Sequence, residues 1–182
     1  AGINQMLGNY GSTLDIENPA FYRKGSDSDF HSFISGLKSG SYGAVIFYDV
    51  NPVYSTGKGK EIAEILKNNK GLLSISFSDK LDETSSLCTF TCPDHNYLES
   101  WNDAEPVSGH YYLAQPTIAP LFKTRQAQES LLVWSDNKVS YYDYIRSYWK
   151  KNVYATISTS FSFEDFWTKS LHDGYVKTGS SY

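Results

Sequence analysis

Apolar side chains recur at helical spacing in several stretches of the chain and bunch into short continuous runs in others. Phe30, Phe33, Ile34 and Leu37 fall at i, i+3, i+4 and i+7, behind Ser26 or Asp27 as a cap and before Gly40, which predicts an amphipathic helix. Ala44 to Val50, AVIFYDV, is a run of β-formers that predicts a strand buried on both faces, ended by Asn51 and Pro52. Ile62, Ile65 and Leu66 mark a second helix closed by NNKG, and Leu72 to Phe77 predicts a second buried strand. Strand, helix and strand with short connections imply a parallel pair joined by a right-handed crossover.

Asp82 or Asp79 can cap a short helix through Leu87, and Cys88 to Cys92 then reads as a third strand ended by Pro93. From Asp94 to Pro120 periodicity is lost, and Pro106, Pro116 and Pro120 forbid a long helix, so a long ordered loop is expected. Beyond it, Thr124 caps a helix bearing Ala127, Leu131 and Trp134. Tyr141, Tyr144, Ile145 and Tyr148 form one further stripe, and Phe163, Phe166, Trp167 and Leu171 another. Ser140 with Asp143 and Ser162 with Asp165 have capping-box spacing ahead of them, and Gly174 closes the last helix. At the other end Gly2 to Leu7 is a short helix stopped by GNYGS. AGINQMLGNYG reads like the last turns of a helix that began earlier, so the chain is expected to be a piece of a longer polypeptide.

The class is therefore α/β, with a short parallel sheet flanked by helices, a long ordered loop and a helical C-terminal part. Residues 1–122 form the α/β region, and 123–182 a helical extension packed on it. At 182 residues, 40% of them apolar and 16% aromatic, the chain is large enough for one full core. A formal charge of −4 without any run of Lys or Arg leaves no electrostatic footprint for nucleic acid or anionic membrane. No stretch approaches the roughly 18 apolar residues of a membrane span, so no direct membrane insertion is expected.

Candidate chemistry is sparse. In a strand, Cys88 and Cys92 would sit about 13 Å apart on one face, beyond the roughly 7 Å Cα separation that a disulfide tolerates. They read as core side chains. Cys88, Cys92, His95 and His110 could be imagined around a metal, but one face of a strand spreads such ligands too far for one ion. No nucleophile elbow is present. GKGK at Gly57 to Lys60 precedes a helix N-terminus and could meet an anion with backbone N–H groups, although it lacks both the P-loop and the dinucleotide fingerprint forms.

Several separate stretches, in order, resemble the molybdopterin oxidoreductase superfamily that includes polysulfide, thiosulfate and dimethyl sulfoxide reductases. LGNYGST is similar to its helix-ending Gly-Asn-x-Gly segment, AVIFYDVNPVYS to its strand followed by Asn-Pro-x-x-Ser, and FSDKLDETSSLCTFTCPDHNYLES to its aspartate turn, Glu-Thr helix and following strand. SWNDAEP and LAQPTIAPLFKTRQAQESLL resemble more closely the molybdopterin-like region of the large iron–sulfur subunit of alternative complex III, a respiratory quinol:electron-acceptor oxidoreductase. The resemblance spans about Gly2 to Trp134 and implies a Rossmann-like sheet.

In such sheets ligands bind beyond the carboxyl ends of the strands. The family places the guanine dinucleotide half of its pterin there, and the resemblance carries that role to Asn51, Ser55, Asp79, Glu83 and Thr84. Cofactor-binding members follow Leu-Glu with Gly-Thr, whereas this chain has Ser100 and the bulky Trp101. The expectation is a structural region of an electron-transfer subunit with no pterin bound, no catalytic residue and no metal of its own. Its partners would be other domains of the parent polypeptide and respiratory-complex subunits, on the extracytoplasmic side. The alternative is half of the molybdopterin guanine dinucleotide site of an active molybdenum reductase.

Overall fold

The computed structural model describes residues 2–22 and 25–178. In chain order the regular elements are α1 (Gly2–Met6), α2 (Asp27–Ser39), β1 (Ala44–Phe47), α3 (Pro52–Ser55), α4 (Gly59–Asn68), β2 (Leu73–Ser76), β3 (Phe90–Thr91), β4 (Asn102–Val107), β5 (His110–Ala114), α5 (Ala127–Trp134), α6 (Tyr141–Tyr148), α7 (Phe163–Asp173) and β6 (Tyr175–Lys177). They fall into two compact units, one of residues 25–100 and 116–141, the other of 1–24, 101–115 and 142–182.

The first unit is built on the parallel sheet β1-β2-β3, in which Ala44 pairs with Leu73, Ile46 with Ile75, and Ile75 with Phe90. α2 forms where the pattern placed it. The Ser26 side chain accepts from the Asp29 N–H, and Gly40 closes the helix at φ 70°, a left-handed conformation glycine adopts without a Cβ penalty. Ile34 and Leu37 from α2 meet Ile62 and Leu66 from α4 over Val45 and Phe47, and this is the unit's core. Burying such side chains is worth roughly 1.5–3 kcal/mol each.

Three expectations for this unit need correction. Neither strand is covered on both faces, because α2 and α4 lie over one face only: Ile46 and Leu73 are 44% and 41% exposed. The third strand is just Phe90–Thr91, with a 3₁₀ turn at Ser85–Leu87 before it, so Cys88 and Cys92 flank a strand instead of lying in one. Both are free and half-buried. Thr124 does not cap α5. The Asp94 carboxylate receives the Ala127 N–H at 2.8 Å, while the Thr124 hydroxyl is buried with no hydrogen-bond partner among the described residues.

The second unit holds the antiparallel sheet β4-β5-β6, two strands of which occupy part of the expected long loop. Pro106 lies inside β4, where the pairing with β5 shifts register between Ala104 and Val107. Proline is tolerated at such an irregularity because no ladder N–H is required there. Its carbonyl accepts the Phe21 N–H at 2.7 Å. α7 matches its predicted signals, with Ser162 accepting from the Asp165 N–H and Gly174 closing at φ 68°. The tyrosine stripe of α6 is correct only in part. Tyr141 and Ile145 are buried, and Trp149, in the π-helical turn that follows, is fully buried, whereas Tyr144 and Tyr148 remain half exposed.

Candidate functional site

Two loops leave the carboxyl ends of β1 and β2 side by side, and these loops carry the residues singled out by the resemblance. After β1, Asp49 takes a left-handed conformation at φ 51°, and Asn51 precedes α3, whose first residue Pro52 needs no N–H partner. After β2, the Asp82 carboxylate accepts the N–H groups of Thr84 and Ser85 at 3.0 and 2.7 Å and starts the 3₁₀ turn. Asp82, not Asp79, is thus the residue that organises this turn. Partial burial opposes its ionisation, but hydrogen bonds from Ser85, Ser78 and Thr84 prevail and hold its carboxyl below the usual range.

The two loops are joined directly. Thr84, fully buried, donates its hydroxyl to Asn51 Oδ1 at 2.7 Å and accepts the Val53 N–H at 3.1 Å. The Asn51 amide nitrogen donates to Glu83 Oε2 at 2.7 Å. Asn51, Glu83 and Thr84 therefore converge, and both ends of the Asn51 amide are engaged by the chain itself. Ser55 bonds back to the Asn51 carbonyl at 2.8 Å within α3. Asp79 is exposed and forms no hydrogen bond or ion pair among the described residues.

The GKGK turn is also internally engaged. Lys58 N–H donates to Thr56 Oγ1 at 3.3 Å, Gly59 N–H to the Thr56 carbonyl at 3.1 Å, and Lys58 Nζ sits 3.0 Å from Glu61. A Cβ on Gly59 would lie 1.9 Å from the Val53 carbonyl oxygen, so this glycine permits the close packing of α3 on α4.

The rim is electronegative. Asp49, Asp79, Asp82, Glu83 and Asp94 all follow strand ends, against Lys58, Lys60 and Lys80, and Lys58 is already paired with Glu61. Burial pushes the Asp94 carboxyl up, and the Asp49 charge adds to that against the N–H groups of Ala127 and His95. Asp49 and Asp94 are not singled out by the sequence, whereas Asp82 is the one of the two cap candidates, Asp82 and Asp79, that the structure selects. Asp82 stands two and three residues before the N–H groups it receives, which is Asx-turn spacing.

Cys88 is a structural thiol. It donates to the Thr84 carbonyl at 3.4 Å, and burial pushes its pKa up to about 11, which suppresses the nucleophilic thiolate. Among the described residues no group of three or more His, Cys, Asp or Glu is arranged to hold a metal ion. Among the same residues no helix is long and apolar enough to cross a membrane.

No protein-family model matches the chain. It is 32% identical over 105 residues to the molybdopterin-binding-like subunit of menaquinone reductase from Nitratidesulfovibrio vulgaris Hildenborough, a match covering 56% of this chain and 15% of that protein. The chain thus contains a molybdopterin oxidoreductase-like region and spans a minor part of the length of that relative.

Proposed function

We propose that this chain is a structural α/β region of a molybdopterin oxidoreductase-like subunit in a quinone-linked respiratory complex, and that it holds no pterin. The observation that carries the proposal is the engagement of the crevice residues with one another. Thr84 has no exposed surface, and the Asn51 amide is used at both ends, so a nucleotide would have to displace bonds already made. The excess of carboxylates at the rim argues in the same direction, since a dinucleotide brings its own negative charge.

The name of the relative, a molybdopterin-binding-like subunit of menaquinone reductase, supports the quinone link. The finer reading is the large iron–sulfur subunit of alternative complex III, with the parent polypeptide on the extracytoplasmic side and its partners the other domains and subunits of that complex. The test is molybdenum and pterin content of the full-length polypeptide purified from a host that makes the cofactor. Substoichiometric background is expected; one molybdenum per polypeptide overturns the proposal and favours the half-site of an active molybdenum reductase.

A further inference from the structure

The parallel sheet has two faces of opposite fate. Val45 and Phe47 point into the core under α2 and α4. On the opposite face the strand register sets Ile46 beside Ile75, Ile75 beside Phe90, and Ala44 beside Leu73. Ile46, Leu73 and Phe90 are 44%, 41% and 57% exposed, and Ile75 is half-buried. All five side chains that the register sets on this face are apolar. At the carboxyl end the same face is already covered: Phe77, two residues beyond Ile75, is buried against Trp134 of α5 at a ring separation of 5.4 Å, with Tyr48 edge-on at 6.2 Å. Within this unit, among the described residues, the amino-terminal half of the face has no such cover.

Parallel strands occur almost only in sheets covered on both faces, since each face of the strand is apolar. Here the apolar pattern is present and the second layer is half built. We propose that a helix from the part of the parent polypeptide outside these 182 residues docks on Ile46, Leu73, Ile75 and Phe90, completing the layer that α5 begins. The proposal rests on the reading of the chain as a region of a larger subunit. The 105 matched residues make up only 15% of the menaquinone reductase subunit, so a polypeptide of that size has ample chain to supply the helix.

The chemistry of the face fixes the kind of partner. With no titratable group to pair, the docking side of the helix must be uninterrupted Leu, Ile, Val or Ala, with polar residues on its far side. The size of the face argues for a tethered partner over a second copy of the chain. A few half-exposed apolar side chains offer on the order of 300 Å², well short of the roughly 800 Å² per partner of a stable interface between separate chains. A helix in the same polypeptide docks at high effective concentration and needs no such area.

Hydroxyl-radical footprinting of the full-length polypeptide, native and unfolded, tests this without mutation. Phe90 is expected to be as protected in the native protein as Phe77, which is 2% exposed. Modification of Phe90 near its unfolded rate overturns the proposal. A short photo-crosslinker on Leu73→Cys then identifies the cover by mass spectrometry. A link to a helical segment outside these residues supports the proposal; a link within them, to a second copy or to another subunit overturns it. Molybdenum content of the same preparation reads the proposed function separately, so a protected face with bound molybdenum would sink that reading alone.

Discussion

The Thr84 hydroxyl reaches across 33 residues of sequence to Asn51 Oδ1, at 2.7 Å, and ties the loop after β2 to the loop after β1. It is the only described side chain that bonds both Asn51 Oδ1 and the Val53 N–H, so the two strand ends are held in one geometry by one buried oxygen. Thr84→Val keeps the shape and removes that oxygen. Each buried polar group left unpaired costs about 1–3 kcal/mol, so urea unfolding should show a loss of about 2 kcal/mol, with Thr84→Ser close to wild type. Equal stability of the Val and Ser variants would show that the tie contributes nothing.

Asn51 is tied on its other side to a carboxylate, Glu83, and only an amide can both donate there and accept from Thr84. Asn51→Asp keeps the acceptor and sets a second carboxylate against the first. The variant should be less stable than Asn51→Ala at neutral pH and low salt. Because Glu83 is exposed, the difference between the two should shrink as ionic strength rises. A salt-independent difference would place the cost elsewhere.

The glycines supply a graded steric series. A Cβ at Gly59 meets the Val53 carbonyl, a backbone atom that cannot move without shifting α3, so Gly59→Ala should cost about 1–3 kcal/mol. At Gly36 the Cβ meets the ring of Tyr42 at 2.5 Å, but that ring is 40% exposed and can swing aside. The helix propensity gained there, about 1 kcal/mol, offsets the loss of the stacking of Tyr42 on Phe33, whose rings lie 5.9 Å apart, and Gly36→Ala should be near neutral. Gly57→Ala has open space and should change stability by less than about 0.5 kcal/mol. Thermal unfolding of the three variants gives the order directly, and a Gly59→Ala variant as stable as Gly57→Ala would contradict it.

The helices were legible because their signals are local. Ser26, Gly40, Ser162 and Gly174 act on N–H and C=O groups within one turn, and all four cap as the spacing predicts. The β4–β5 hairpin was not legible. Pro106 sits where a pairing irregularity removes the need for its N–H, and NDAEPV lacks the alternation that marks a strand, since register is set by the partner. The cap of α5 was illegible for a similar reason: Asp94 reaches Ala127 across 33 residues, a distance no local pattern spans. The apolar runs of β1 and β2 signalled burial on two faces, but a run cannot say which segment provides the cover. At the candidate site, Asn51, Glu83 and Thr84 were found as a group only through the family resemblance, because polar residues after strands look the same whether they bind a ligand or each other.

The second unit offers a pH test. Fully buried Trp149 donates its indole N–H to Asp103 Oδ2 at 2.8 Å, yet burial outweighs that bond and pushes the Asp103 carboxyl up. A carboxyl raised in the folded state binds its proton more tightly there than in the unfolded chain. Its contribution to stability is therefore complete below the unfolded value, about 3.9, and is lost as pH rises through the folded value. Asp103→Asn keeps an acceptor for the indole and removes the titration. The stability of Asp103→Asn relative to wild type should rise from acid pH toward neutrality and then level off. Urea unfolding of both proteins across that range measures it. A difference that stays constant with pH would mean that Asp103 titrates alike in the folded and unfolded states.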